Sequence, residues 1–188
     1  MNKNILDAPF PKRENLSLKK VTSIDRLKSM LLDHFLMTMI LTILAILPMT
    51  FMIKTKLQDN TLTPTLFEIF FMVSISVLYL LKDTLNSRSL AKRYMGQIII
   101  DSKTKLPAAE IKCLIRNITI PLWIIEVFVV LISPSKRIGD IIAGTEIKQT
   151  DYISFSDTKM EFLNYKKLNF IKLWFVATAF IFGIFYVL

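Results

Sequence analysis

The sequence is poor in the residues on which small disulfide-bonded folds and nucleotide sites depend. One cysteine, Cys113, and one histidine, His34, stand among 188 residues. A disulfide framework and a Cys/His zinc site are thereby excluded. Four glycines are too few for a glycine-rich phosphate loop, and neither GxGxxG nor the GxxxxGK pattern occurs. Charged residues make up only 21% of the chain, and the polar stretches are short, which excludes intrinsic disorder. There is no internal repeat of roughly 20–50 residues and no low-complexity tract.

What the chain has in excess is apolar surface. Hydrophobic residues reach 53% and the mean hydropathy is +0.48, gathered into four long runs that point to a bilayer rather than a water-soluble core. The formal net charge is +9. In such a chain the basic excess reads as Lys and Arg retained in cytoplasmic loops, so no nucleic-acid partner is expected.

The first run, His34 to Ile53, carries no formal charge over twenty residues, about 30 Å of helix and one hydrocarbon thickness. Pro48 in its outer half is a possible kink. The run is too long for a cleaved signal peptide and no small-residue cleavage site follows it. The second run, Leu62 to Leu81, holds one charge, Glu68, and Pro64 suits a first helical turn. The fourth, Leu168 to Leu188, holds only Lys172, with Trp174 and Tyr186 near its ends as interfacial aromatics. The third, residues 117–135, is ambiguous because Pro121 and Glu126 interrupt it.

The distribution of Lys and Arg places the N-terminus and the loop after the second helix on the cytoplasmic side. Six basic residues between the third and fourth runs (Lys136, Arg137, Lys148, Lys159, Lys166, Lys167) fall on the same side only if the third run does not cross. The expected architecture is therefore an all-α polytopic membrane protein. It has three full spans plus a partly inserted or re-entrant third segment, with four plain spans as the alternative. Residues 1–22 read as a basic tail, 23–150 as the membrane domain and 151–188 as a linker and last helix. Residues 86–96 suggest a basic helix ending at Gly96. QIII and TEIKQTDYISF read as partner strands of a small cytoplasmic cap. Lys outnumbers Arg eighteen to six and cysteine is nearly absent, which suits a bacterial cytoplasmic (inner) membrane.

An ionisable residue inside a membrane helix costs roughly 2.5–3.5 kcal/mol at the centre, so each one is a functional candidate. Arg26 and Asp33 lie seven residues apart on one face of the first helix, with Ser29 between them. That is a rise of about 10.5 Å, too far for a good direct pair. Each needs another partner, and for Asp33 the candidates are Arg88, Lys92, Arg93 and Arg116. The pattern fits either a proton- or cation-binding carboxylate or a salt bridge locking the helix to the inner loops. Glu126 is the most isolated charge, with Thr119 seven residues before it; it fits a proton relay or a plain ion pair. Asp140, in the segment SPSKRIGDIIAGT, fits a cap of a short turn closed by Gly144 or a carboxylate facing Arg26 or Arg116. The hydroxyls of Thr38, Thr42, Ser74 and Ser76 fit ion ligation or interhelical hydrogen bonds equally.

These residues together resemble the RDD family of small integral membrane proteins. Arg26 with Asp33 seven positions later, and Asp140 within RIGDIIAGT, match the arginine and two aspartates that name it. SRSLAKRYMGQIIID resembles its GxSxGKRxxGxxVVD stretch, LIRNITIP its LLRN segment, and LISPSKRIGDIIAGT its LxSPxxxRxGDxxAGT block. The likeness covers about residues 20–150. Ala91 and Asn86 stand where glycines are usual, the stretch between the RN and SP pairs is short, and the last helix lies outside the pattern. The resemblance implies Arg26, Asp33 and Asp140 as signature charges, to which we add Arg93, Arg116, Asn117 and Glu126 as a supporting polar network. It implies monovalent cation/proton exchange (Na⁺, K⁺, H⁺) or related small-solute transport, the alternative being a non-transporting accessory subunit of a larger membrane complex. Three or four helices are few for an enclosed pathway, so transport would need a homo-oligomer. An enzyme is the least supported class, since the lone His has no nucleophile beside it in a pocket, and no cofactor or metal is called for.

Overall fold

The computed structural model describes residues 18–59, 65–152, 154–164 and 167–187. The basic tail expected over residues 1–22 thus lies outside the described residues up to residue 17, as does Pro64, and the side chain of Tyr186 is likewise not described. The described chain is mostly helical, with one two-stranded sheet.

Helix α1 (Ser23–Asp59) has 37 residues and passes through Pro48 without ending. Its stretch Ser23–Ile46 is, among the described residues, the one helix long and apolar enough to cross a membrane, and only 11% of its most apolar window is buried. Helix α2 (Leu66–Leu80) begins at a capping box. The Thr65 hydroxyl accepts from Glu68 N–H at 3.3 Å, and the Glu68 carboxylate accepts from Thr65 N–H at 2.7 Å, so two orphan donors are satisfied reciprocally. Two 3₁₀ turns follow, and Asn86 (φ 53°) and Ser87 (φ 58°) take left-handed backbone. These residues break the expected 86–96 helix, leaving α3 (Leu90–Tyr94), which starts where the Ser89 hydroxyl accepts from Lys92 N–H.

Strand β1 (Gln97–Asp101) pairs antiparallel with β2 (Thr145–Gln149), Ile99 opposite Ile147. This is the pairing expected of QIII with TEIKQTDYISF, except that the second strand ends at Gln149, and it adds a small sheet to the helical architecture. The strands enclose a core of Val21, Ile99, Ala108, Cys113 and Ile147. Lys19 bridges to Gln149, tying the start of the described chain to the same sheet.

The third apolar run is not one helix. Helix α4 (Glu110–Asn117) ends, a 3₁₀ turn holds Pro121, and α5 (Trp123–Ile132) follows with ten residues. Proline has no N–H and a fixed φ, so it starts a new turn rather than continuing an old helix. Ten residues rise about 15 Å, half a hydrocarbon core. Helix α6 (Ile138–Ala143) closes at Gly144, whose φ of 64° suits a left-handed C-terminal position. Helices α7 (Phe155–Asn164) and α8 (Lys167–Val187) complete the chain. Helix α8 packs along α2 through Val73, Val77, Leu81 and Ala177, and Trp174 donates to the Ser74 carbonyl at 3.2 Å.

Candidate functional site

Ionisable side chains from α1, α3, α4, α5, α6 and the turn after α2 converge at the end of α1 that carries the sheet. Arg26 and Asp33 do not pair with one another. Arg26 Nη2 lies 3.5 Å from Asp140 Oδ2, and Asp33 Oδ2 lies 2.5 Å from Lys92 Nζ. Of the four candidate partners for Asp33, it is Lys92, on α3, that pairs with it. Lys92 also lies 2.8 Å from Asp83 Oδ1, so one ammonium serves two carboxylates.

Asp140 is the hub. Arg116 Nε sits 2.8 Å from its Oδ1, and Arg137 Nε lies 3.9 Å from its Oδ2. Its Oδ1 accepts from the Thr145 hydroxyl and its Oδ2 from Arg137 N–H. Both readings of this residue therefore hold at once: it caps the short α6 and it faces Arg26 and Arg116. Gly139 allows this. A Cβ there would collide with the Arg116 carbonyl oxygen and the Thr119 hydroxyl, so only glycine lets α6 approach the end of α4 this closely.

Glu126 is fully buried. It accepts from the Thr119 hydroxyl at 2.5 Å and from Arg137 Nη1 at 2.9 Å. Its ion-pair partner is Arg137, and Thr119 meets it from across the 3₁₀ turn rather than along one helix. Arg137 also donates to Asn117 Oδ1 at 2.6 Å, while Asn117 Nδ2 donates to the Leu80 carbonyl. Arg93 donates to the carbonyl oxygens of Arg88 and Leu85 and holds the turn ahead of its own helix. Asp83, Lys92 and Arg137 carry as much of the cluster as the signature residues. Asp83 reads in sequence as the polar end of a helix, and Arg137 as one basic residue among many in a loop.

Four cations (Arg26, Lys92, Arg116, Arg137) thus face four carboxylates (Asp33, Asp83, Glu126, Asp140), each with 5% or less of its surface exposed. Burial pushes the Asp140 carboxyl up, but Arg116, Arg137 and Arg26 outweigh it and hold it below the usual carboxylate range. Burial likewise opposes the ionisation of Asp83, and Lys92 and Arg116 bring it well below that range. The Arg116 guanidinium is held up by Asp140 and Asp83 against its own desolvation.

Beside this cluster lies a cavity with about 40 Å³ of water-accessible space. Arg26, Asp33, Lys82, Lys92, Glu126 and Arg137 line it on the polar side. His34 stacks on Trp123, with ring centroids 5.7 Å apart, and its Nδ1 lies 2.7 Å from the Tyr79 hydroxyl. Lys82 sits 4.6 Å over the Tyr79 ring, and burial pushes its ammonium down to about 8. Tyr79 also bounds a groove between α1 and α2 that carries Thr38, Thr42 and Thr50. The hydroxyls of Ser74 and Ser76 are turned back on their own helix, donating to the carbonyls of Phe70 and Met72. Among the described residues no three of His, Cys, Asp and Glu gather into a metal-binding group. No protein-family model, no curated protein and no solved structure matches the chain.

Proposed function

We propose that this chain is an integral protein of the cytoplasmic membrane, of the RDD type, that exchanges protons for a small monovalent cation at the cavity beside Asp33. In this reading α1, α2 and α8 cross the bilayer and α5 enters it partway. The sheet and charge cluster then lie at the cytoplasmic face, where the basic residues belong. The observation that carries the reading is the shared lysine. Lys92 stands between Asp33 on the cavity wall and Asp83 behind it, at 2.5 and 2.8 Å.

A proton or a cation that reaches Asp33 takes over the role of the ammonium, and Lys92 retains a full partner in Asp83. The carboxylate on the wall is thus free to change occupants without leaving a buried cation unpaired. The groove that runs from Tyr79 past Thr38, Thr42 and Thr50 supplies hydroxyls along α1, and a second copy of the chain would close it into a pathway.

The test uses purified protein in liposomes with an internal pH dye, pulsed with Na⁺, K⁺ or Li⁺. Exchange is expected from the wild type and lost in Asp33→Asn, with the protein still inserted. Unchanged exchange in that variant removes Asp33 from the mechanism.

A second reading, a non-transporting assembly subunit, is favoured by the full pairing of the carboxylates and by the largely uncovered face of α1. It expects no flux from well-inserted wild type, and expects Asp33→Asn to lower abundance and complex formation.

A further inference from the structure

The charges around the cavity do not balance. Asp33 and Glu126 each have a cation within 3 Å, Lys92 and Arg137 respectively. Two cations on the wall remain, Arg26 and Lys82. The carboxylate nearest Arg26 is Asp140, which also serves Arg116 and Arg137. Lys82 rests on the Tyr79 ring, and no carboxylate lies within ion-pair distance of it among the described residues. Counting the wall and the groups paired with it gives five cations (Arg26, Lys82, Lys92, Arg116, Arg137) against four carboxylates (Asp33, Asp83, Glu126, Asp140), a surplus of one positive charge.

Arg26 supplies the second observation. Its side chain is 1% exposed, and Nε and Nη1 have no hydrogen-bond partner in the protein, although a buried guanidinium normally uses its donors. Nη2 alone points to Asp140. Nε and Nη1 sit on opposite edges of the planar group and do not act as one fork, but they leave unpartnered N–H donors on a buried cation that lines the cavity, and such a group takes an anion. About 40 Å³ of water-accessible space admits a few waters or one small ion, not an organic acid or a phosphate ester.

We infer that this cavity binds a single small monovalent anion of halide size, held by Arg26 with Lys82 opposite. The inference concerns occupancy and stands whether the chain moves cations or serves as an assembly subunit. An anion there neutralises the surplus charge of the cavity and satisfies the donors of Arg26. Because the cavity admits one small ion, a halide there and a cation at Asp33 exclude one another.

The test is an anion titration of the purified full chain in detergent at pH 6.5, below the point at which Lys82 loses its proton. Sodium chloride or bromide replaces sodium gluconate at constant ionic strength. The thermal midpoint is expected to rise and saturate with halide, as for a ligand bound only by the folded state. Chlorine NMR is expected to show line broadening that competing bromide removes. Arg26→Gln should weaken the apparent affinity by about tenfold or more. Where that variant does not accumulate, Lys82→Met carries the test, because Lys82 makes no ion pair within the cluster; the halide-induced shift, read against that variant's own gluconate midpoint, should show binding weakened severalfold. Equal midpoints in halide and gluconate with no broadening mean that the cavity holds water alone and overturn the inference. A halide response unchanged in Lys82→Met does the same.

Discussion

The two ends of helix α1 solve different problems. Near Arg26 and Asp33 the buried carboxylates find cations from other elements, 59 residues away for Asp33 with Lys92 and 114 for Asp140 with Arg26. Beyond Thr38 the same helix exposes Met39, Ile43, Leu44, Phe51 and Ile53 and makes few specific contacts. The charged end determines which elements meet, because a mismatched buried charge is expensive. If α1 crosses a bilayer, as proposed, its apolar end only has to be apolar, because lipid chains are as good a neighbour as another helix. Specificity and hydrophobicity are thus separated along one helix.

The sharpest way to break this contrast is to remove the hub. Asp140→Ala leaves Arg26, Arg116 and Arg137 facing one another, and should cost about 3–5 kcal/mol, read as a lower thermal midpoint and poor accumulation in membranes. Next is the approach that places the hub: Gly139→Ala forces α6 off α4 and should cost about 1–3 kcal/mol. The two readouts should change together, since Asp140 moves with the helix. Equal stability of Gly139→Ala and wild type would show that the cluster tolerates looser packing than its geometry implies.

The cluster end was only partly legible in the sequence. Arg26, Asp33 and Asp140 stand out because the resemblance names them, and the pairing of QIII with the start of TEIKQTDYISF follows from β-branched patterning between turn residues. The partnership of Asp33 with Lys92 was one of four equal options, since nothing local ranks the basic residues of a loop. Asp83 was hidden for another reason: a charge just past an apolar run normally marks the end of burial, yet here the chain turns back through left-handed Asn86 and Ser87 and encloses it. The broken third run is the converse case. Its apolar residues favour a long helix by composition, and Pro121 together with the need to seat Glu126 against Arg137 decides otherwise.

A double-mutant cycle sharpens the contrast further. Lys92→Met strips two carboxylates and Asp33→Asn strips one ammonium contact, so the lysine variant should be the less stable. The coupling between the two positions should lie at about 0.5–3 kcal/mol, measured by thermal or denaturant unfolding in detergent.

Acid should act mainly on the charged end, although near the other end it also reaches the Lys56–Glu68 pair. Asp83 and Asp140 have folded values below the unfolded value of about 3.9. Their stabilisation is fully present above that value and is lost as pH falls through the folded ones. Asp101, beside Lys112 and the N–H groups of Lys103 and Thr104, is lowered to about 2 and follows the same sign in the window from about 4 down to 2. Trp123 fluorescence, in a Trp174→Phe background, should report loss of the cluster below about pH 4 while far-ultraviolet helicity persists. The smallest effect belongs to the other end: Ile43→Ala should change stability by no more than about 0.5 kcal/mol, and a larger loss would reveal a partner on that face.

The 114 residues that separate Arg26 from Asp140 also set an order of events during synthesis. At about 5–20 residues per second the ribosome takes roughly 5–25 s to deliver the aspartate after the arginine. If α1 inserts as it emerges, its inner end must wait that long with a guanidinium that has no counter-charge, and the long Arg side chain can bide that time among the headgroups. Insertion of the apolar half and closure of the charged half are then separate steps in time. The second cannot begin until three-quarters of the chain exists.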